Sequence, residues 1–234
     1  MRRGFVSTVV TVVVVGGALL TAQFGDPDRV IPGGGVLVKG WTGKIDAGSA
    51  RQGRVLNDAK LAQEGEGGNL HVTTGPAVTY WNPANTASGD YTVKATFREP
   101  KFMELNSHPH SYGIFIGGTD MGADPMSYLY CVAYGSGEVL VRGFSGPTVF
   151  TLLRQSPNAA AHKAAGVGQP VTQEIAWRVK SGRAECLVNG TMVAGYDKSE
   201  LIAAGKLKSL DGVFGLRFTH NVEAIVTGFG VTKG

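Results

Sequence analysis

The sequence predicts an all-β protein, an antiparallel two-sheet sandwich of jelly-roll type with at most one or two short helices. Short runs in which apolar and polar residues alternate recur along most of the chain, which is typical of half-buried strands. Glycine supplies 35 of the 234 residues, about twice its usual share of roughly 7%, and it falls between these runs. No repeat of solenoid or propeller length is present. Many short strands joined by tight turns therefore account for the composition.

The stretch 173–197 shows this pattern most clearly, as three strands joined by two turns. Apolar residues alternate with polar or small ones in each run, and Ser181-Gly182 and Asn189-Gly190 separate the runs. Two-residue turns of this kind between alternating runs are the strongest short-range indication of a β-hairpin. Asn189 also begins a glycosylation sequon, but the turn alone explains the Asn-Gly pair.

The remaining elements follow in order along the chain. Residues 46–68 are polar and glycine-rich and are predicted to be mostly loop, and 158–165 to be a helical turn or a loop. One helix is predicted at 199–204, with Ser199 as N-cap and Gly205 as its end. Further strands are predicted at 70–73, 77–81, 90–99, 112–116, 128–134, 139–144, 149–153, 212–220 and 222–232.

The chain divides into three parts. Residues 1–23 begin with two arginines and continue as an apolar run, the pattern of a signal peptide or, if it stays attached, an N-terminal anchor. Residues 24–35 are predicted to be a linker, and 36–234 a single β-sandwich domain. We therefore expect a periplasmic or extracellular protein that meets a membrane only through an uncleaved N-terminal segment.

Charge argues against a nucleic-acid partner. The formal net charge is +4, and without the two arginines of the leader 20 basic residues face 18 acidic ones, which leaves +2. No stripe of clustered lysine and arginine marks a phosphate-binding surface. The expected partners are instead a carbohydrate or a cell-envelope ligand.

The two cysteines, Cys131 and Cys186, both fall within predicted strands. In an oxidising compartment an even number of cysteines suggests one disulfide. Two separate buried thiols would also satisfy the sequence, because free cysteine packs well in a core.

The C-terminal part resembles a known superfamily. The segments WRVKSGRAECLVNGTMVAGYD and GVFGLRFTHNVEAIVTGFGVTK resemble the concanavalin A-like lectin/glucanase superfamily, and are similar to the exported bacterial domains of the 3-keto-disaccharide hydrolase (DUF1080) type. The matching positions are Trp177, Asn189, Gly190, Gly215, Leu216 and Arg217. The resemblance implies the fold, whereas the Glu-x-Asp-x-x-Glu pattern of the glucanase branch has no counterpart here.

Aromatic residues give the first functional hypothesis, a non-catalytic domain that binds its ligand on a concave sheet face. Tyr128, Tyr130 and Tyr134 share one parity along their strand, so their rings form a row that either stacks on sugar rings or fills the inter-sheet core. The candidate ligand-binding residues are His110, Tyr112, Tyr128, Tyr130 and Arg142.

His108-Pro109-His110 gives the second hypothesis, a glycoside hydrolase or lyase of the 3-keto-sugar type. Two histidines two apart, with a third ligand from Asp120 or Asp124, would suit a divalent metal or acid–base chemistry. The loop that holds the aspartates could also bind Ca²⁺. A polar loop and a solvated turn explain the same residues with no cofactor, and no catalytic residue is assigned. A third hypothesis is a structural or adhesive surface protein.

Overall fold

The computed structural model describes residues 28–105 and 108–234, so the predicted leader at 1–23 lies outside the described residues. Within them the chain forms strands, two short helices, α1 (Ala47–Arg51) and α2 (Lys198–Leu201), and a 3₁₀ turn at Leu56–Asp58. The strands are β1 (Gly35–Val36), β2 (Thr42–Ile45), β3 (Lys60–Gln63), β4 (Leu70–Thr73), β5 (Val78–Ala87), β6 (Tyr91–Glu99), β7 (Ser111–Thr119), β8 (Ser127–Tyr134), β9 (Glu138–Ser145), β10 (Thr148–Pro157), β11 (Val171–Lys180), β12 (Arg183–Val188), β13 (Thr191–Asp197), β14 (Gly212–Phe218) and β15 (Glu223–Lys233).

The strands form two stacked sheets, as the sequence predicts. One sheet has eight strands in the order β1-β3-β4-β15-β6-β11-β12-β13, and the other has seven in the order β10-β9-β8-β7-β14-β5-β2. Neighbouring strands are antiparallel except for the short pair β1 and β3. The C-terminal strand β14 is an inner strand of the seven-stranded sheet, and β15 is an inner strand of the eight-stranded sheet. The end of the chain therefore connects the two layers.

The core between the sheets is apolar and tightly closed. Trp177 on β11 is fully buried there, and its indole N–H donates to the Ile114 carbonyl oxygen on β7 at 3.1 Å. Cys131 on β8 and Cys186 on β12 form a disulfide across the core, with their Cα atoms 6.2 Å apart. The disulfide, one of two alternatives left by the sequence, thus links one sheet to the other.

The two predicted hairpin turns are confirmed. Ser181 and Gly182 have φ of 49° and 77°, and Asn189 and Gly190 have 49° and 79°. Positive φ at both central residues is what a type I′ turn requires, which favours Asn and Gly there. The Asn189 amide also donates to the Ala160 carbonyl oxygen at 2.8 Å, so the turn holds the 158–165 segment in place.

Several boundaries differ from the sequence prediction, and three of them have a clear physical reason. Residues 46–68 are less loop-like than expected, because they contain α1, the 3₁₀ turn and β3, all too short to show a period. Helix α2 spans Lys198–Leu201 rather than 199–204, with Asp197 in place of Ser199 as its N-cap, and the backbone N–H of Asp197 donates to the Glu200 carboxylate at 2.8 Å. Strand β5 continues past Pro83, because the register with β14 shifts at that point and no ladder bond needs the missing N–H.

In the described part of the chain, none of the helices is both long and apolar enough to cross a bilayer.

Candidate ligand-binding site

The outer face of the seven-stranded sheet carries a second apolar cluster, separate from the inter-sheet core. Along β8, Leu129, Cys131 and Ala133 point into the core, so the residues between them point outward. The outer cluster consists of Trp81, Phe115, Tyr128, Tyr130, Val132, Tyr134 and Leu140. Aromatic side chains on several neighbouring strands therefore form a continuous layer on the outer side of this sheet.

This face is concave. The hydroxyls of Tyr128 on β8 and Thr79 on β5 are hydrogen bonded at 2.7 Å, although β7 and β14 lie between those strands. In a flat sheet the two backbones would be at least about 14 Å apart, too far for these side chains to meet. The sheet therefore curves toward its outer side, and we call this surface the concave face.

Glycine at the centre of the sheet makes room for the rings. A Cβ atom on Gly215 of β14 would lie 2.5 Å from Cε1 of Phe115 and 2.3 Å from the Tyr80 carbonyl oxygen. Because real Cβ atoms do not approach other atoms so closely, the Phe115 ring can lie over β14 only where that strand has no side chain.

A buried ion pair crosses the concave face. The guanidinium of Arg217 donates to both carboxylate oxygens of Asp46, each at 2.6 Å, and also to the Thr79 hydroxyl at 3.2 Å. The Arg217 side chain is only 3% exposed, whereas that of Asp46 is 29% exposed. Asp46 is the residue before α1, yet its carboxylate makes no cap to the helix and binds Arg217 instead.

Aromatic rings enclose the guanidinium. Its Cζ lies 5.4 Å from the ring centre of Tyr130 and 5.5 Å from that of Phe144, within the range of cation–π attraction. Burial alone lowers the pKa of Arg217, but the nearby Asp46 carboxylate more than offsets this and raises it. Burial also raises the pKa of Tyr128 and Tyr130, so both phenols stay neutral.

Next to this ion pair the concave face opens into a cavity of about 450 Å³. Its floor includes Asp46, Thr79, Tyr128 and Phe144. The lining also includes residues of three segments that connect strands, which we call the rim: α1 with Ala47 and Ala50, the β7–β8 loop with Ala123, Asp124 and Met126, and the β9–β10 turn with Gly146 and Pro147. The cavity therefore has a mainly apolar wall with a few polar groups, as small-molecule sites usually do.

Two lysines hold the β7–β8 loop at the rim. The Lys44 ammonium donates to the carbonyl oxygens of Gly122 and Ala123 at 3.3 and 3.1 Å, and lies 3.9 Å from the Asp124 carboxylate. Lys208 donates to Asp120 at 2.5 Å. The loop that forms one side of the cavity is thus tied to the rest of the fold by charged contacts.

Three of the five predicted ligand-binding residues share the concave face. Tyr128 lines the cavity, Tyr130 contacts the guanidinium of Arg217, and Arg142 lies opposite Tyr130 on β9 and donates to the Thr151 hydroxyl at 3.0 Å. The tyrosine row therefore faces outward rather than into the inter-sheet core. The rings are nevertheless covered by their neighbours, since Tyr130 is 4% exposed.

The other two predicted residues lie elsewhere. Tyr112 has the parity of Ile114 along β7, so it faces the inter-sheet core and stacks on Phe97 with ring centres 5.4 Å apart. Its predicted place on the ligand-facing surface is wrong. His110 precedes β7 and contacts the rings of His108 and His220 at 4.3 and 5.7 Å between centres.

The metal hypothesis required His108, His110 and an aspartate to meet, and the fold does not bring them together. The histidines precede β7 whereas Asp120 and Asp124 follow it, so the length of a nine-residue strand separates them. Across residues 28–105 and 108–234, no group of three or more His, Cys, Asp or Glu side chains is arranged to hold a metal ion. Burial, together with His108 and His220, lowers the pKa of His110 to about 3, so its imidazole is neutral at physiological pH.

Several residues of the site are not found by the sequence interpretation, namely Asp46, Thr79, Phe144 and Arg217. Arg217 had a recognisable pattern, because it alternates with Phe214, Leu216 and Phe218 and must face away from their core. Asp46 had none, since it lies in a segment predicted to be mostly loop and is 171 residues from its partner.

The fold is the concanavalin A-like jelly-roll sandwich implied by the sequence resemblance. A Bacillus subtilis protein of unknown function with a galectin-like fold has a TM-score of 0.54 at 12% identity, covering 84% of this chain and 90% of that one. An endo-β-1,3-glucanase from Pyrococcus furiosus has a TM-score of 0.51 at 12% identity, covering 83% and 89%. A mixed-linkage glucan GH16 protein from Bacteroides ovatus, in complex with its G4G4G3G product, has 0.50 at 10% identity, covering 88% and 97%.

At these identities the similarity establishes the fold alone. No protein-family model and no curated protein matches the chain. The narrower resemblance to the 3-keto-disaccharide hydrolase type therefore stays a prediction.

Proposed function

We propose that this protein is an exported, non-catalytic domain that binds a carbohydrate of the cell envelope or its surroundings on the concave face. The observation that carries the proposal is the cavity of about 450 Å³, which has the half-buried aromatic ring of Phe144 beside the carboxylate of Asp46. Sugar rings have an apolar face that packs on aromatic rings and hydroxyls that need polar partners. The cavity offers both within one site.

The neighbours of the same fold support a carbohydrate over other ligand classes. One is named as an endo-β-1,3-glucanase, and another is bound to a glucan oligosaccharide product. Because one fold serves many functions, this support is secondary to the chemistry of the cavity itself.

The carboxylates at the cavity favour binding over hydrolysis. Glycosidases place two carboxyl groups on either side of the scissile bond, and one of them must give a proton. Of the two carboxylates that line the cavity, Asp46 already uses both oxygens to bind Arg217. That arrangement suits a fixed hydrogen-bond acceptor better than a group that exchanges protons.

Export is supported by two independent features. The sequence begins with a charged start and an apolar run typical of a signal peptide, and Cys131 and Cys186 form a disulfide, which persists in oxidising compartments. N-terminal sequencing of protein recovered after expression of the full chain tests export directly. An intact Met1 in protein found only in the cytosol would contradict it.

A glycan array probed with the purified protein tests the binding function. We expect selective binding that Phe144→Ala weakens at least tenfold, because Phe144 lines the cavity and its ring supplies stacking area. Phe229→Ala is the matched control, since Phe229 is also half-buried but packs against Trp41 and Phe214, away from the cavity. Repeating the array with EDTA tests the calcium hypothesis.

The possible outcomes are distinct. Binding that survives EDTA and depends on Phe144 supports the proposal as stated. Release of new reducing ends from a bound glycan would replace it with the hydrolase hypothesis. Absence of binding to any glycan would overturn it and leave the structural or adhesive hypothesis.

A further inference from the structure

We propose that the cavity receives the uncharged terminal unit of a saccharide, and not an internal segment of a chain or an acidic sugar. This inference rests on the proposed function and specifies which class of carbohydrate the same site selects. It follows from the shape of the cavity, the balance of charges around it and the position of its acceptor group.

The shape of the cavity favours a chain end. Its volume of about 450 Å³ is in the lower half of the range of small-molecule sites, roughly 300–1,000 Å³, and suits one or two sugar rings. Its lining combines strand residues with residues of three connecting segments, α1, the β7–β8 loop and the β9–β10 turn. A terminal unit fits a site of this size whole, whereas an internal segment would extend beyond it over these connecting segments.

The charges around the cavity balance without a ligand. The positive charge of Arg217 is held by Asp46 through two hydrogen bonds and is almost fully buried. Among the described residues that line the cavity, Lys44 is the one basic side chain, and it is bound to two loop carbonyls and lies near Asp124. The carboxylate of a uronic acid would therefore meet two carboxylates and a single accessible cation, Lys44, because Arg217 is buried, and this balance disfavours its binding.

The acceptor group of the cavity fits a neutral sugar. Asp46 is 29% exposed and is held in one orientation by Arg217. A carboxylate has about four acceptor positions, so two remain after the bonds to the guanidinium. These remaining positions can accept hydrogen bonds from two neighbouring hydroxyls of a ring, while the apolar face of that ring packs on Phe144.

Calorimetric titrations with paired sugars test the preference for neutral ligands. Digalacturonate is compared with galactobiose, and a mannuronate disaccharide with mannobiose, in addition to the glycans found on the array. We expect at least tenfold tighter binding of the neutral member of a pair. Equal or tighter binding of the acidic member would overturn the inference while leaving carbohydrate binding intact.

Chain ends are tested with ligands of equal composition. Linear maltohexaose and a cyclic hexamer of the same glucose units, or the linear and cyclic forms of whichever neutral glucan binds on the array, differ in whether they have ends. We expect the cyclic form to bind at least tenfold more weakly. Binding that is as strong for the cyclic form would show that internal segments are recognised.

A substitution on the rim separates this inference from failure of the whole site. Ala50 is an exposed residue of α1 that lines the cavity, so Ala50→Trp should fill it without disturbing the core and weaken binding at least tenfold. Ala203→Trp, at an exposed position outside the cavity lining, is the control and should bind like the wild type. Glycan binding that Ala50→Trp leaves unchanged would overturn the cavity as the binding place, whereas no glycan binding by the wild type would contradict the proposed function itself.

Discussion

The outer faces of the two sheets have opposite characters, although both come from strands of alternating residues. On the eight-stranded sheet, exposed ion pairs run across neighbouring strands, such as Arg178 with Glu185 at 2.6 Å and Lys94 with Glu174 at 3.6 Å. On the seven-stranded sheet, the concave face carries Arg217 and Asp46 at the same 2.6 Å, but under aromatic rings. The ion pairs of Arg178 and Arg217 thus have the same length, but the first is exposed and the second lies under aromatic rings.

This difference shows that solvent access, rather than geometry, decides what a charged pair does. An exposed pair is screened by water and holds two mobile side chains at little net gain. In the pair on the concave face the Arg217 guanidinium is 3% exposed and has lost its hydration, so it depends on Asp46, whereas the 29% exposed carboxylate of Asp46 still reaches water. The eight-stranded face thus carries exposed ion pairs, whereas the concave face holds the cavity of the proposed ligand site.

Both faces require the sheets to stay stacked, so the largest expected effect comes from the disulfide between them. Replacing both Cys131 and Cys186 by Ala should lower the free energy of unfolding by about 4 kcal/mol, because the bond closes a loop with a sequence separation of 55 residues. Urea denaturation measures the change.

The control uses a reductant. Dithiothreitol should destabilise the wild type to a similar extent and leave the double variant unaffected. Loss of less than about 1 kcal/mol in the double variant would show that the core holds the sheets together unaided.

The comparison between the faces is tested directly by matched substitutions of arginine. Arg217→Met should lower the free energy of unfolding by about 2–3 kcal/mol, since it removes the charged hydrogen bonds to Asp46 and the contacts of the buried guanidinium with the aromatic rings. Arg178→Met removes an equally short ion pair from the other face and should cost less than about 1 kcal/mol. Similar losses of stability in the two variants would show that burial of the arginine makes no difference to the energy of its ion pair.

A buried titratable group tests the effect of burial through the pH dependence of the free energy of unfolding. Glu99 lies at one end of the inter-sheet core, and burial raises its pKa to about 7 from 4.5, against smaller opposing effects of Met103 and Tyr112. The unfolded chain releases this proton near pH 4.5 and the folded chain only near pH 7. Glu99 should therefore lower the free energy of unfolding by about 3 kcal/mol as the pH rises across that interval, and Glu99→Gln should remove this contribution.

Denaturation at a series of pH values measures this effect, and His110 provides a control of opposite sign. Its pKa is lowered to about 3, so the unfolded chain binds a proton near pH 6.5 that the folded chain refuses, and stability is lost as the pH drops below 6.5. Between pH 4.5 and 6.5 the two contributions oppose each other, so His110→Gln should reveal the loss of stability toward neutral pH that Glu99 causes, and Glu99→Gln the loss toward acid pH that His110 causes. A profile that neither variant changes would contradict both assignments.

The smallest expected effect comes from one hydroxyl on each face. Tyr128→Phe removes the buried hydrogen bond to Thr79 and should cost about 1 kcal/mol. Thr96→Val on the half-exposed face of β6 should change stability by less than about 0.5 kcal/mol. Thermal unfolding of the two variants beside the wild type distinguishes them, and equal shifts would mean that burial of the concave face is unimportant for this bond.

Much of the fold was predictable because its determinants are local. Period-two alternation gives the strands, and pairs such as Asn189-Gly190 give the hairpin turns, since a type I′ turn needs positive φ at both central residues. Short elements within 46–68 escaped prediction because a four-residue strand such as β3 is too brief to show a period. The site was predictable only in part, with Tyr128, Tyr130 and Arg142 on one face and Tyr112 misplaced onto it.

Local sequence pattern is enough to predict the class of fold, the hairpins and the parity of each side chain along its strand. Parity, however, does not say which of two faces looks toward the other sheet, and that choice placed Tyr112 in the core and Tyr128 on the concave face. Only the tertiary structure brought Asp46 to Arg217 across 171 residues and joined Cys131 to Cys186. Contacts between distant segments depend on how the sheets curve and stack, because that packing optimises the burial of all strands together rather than of any one.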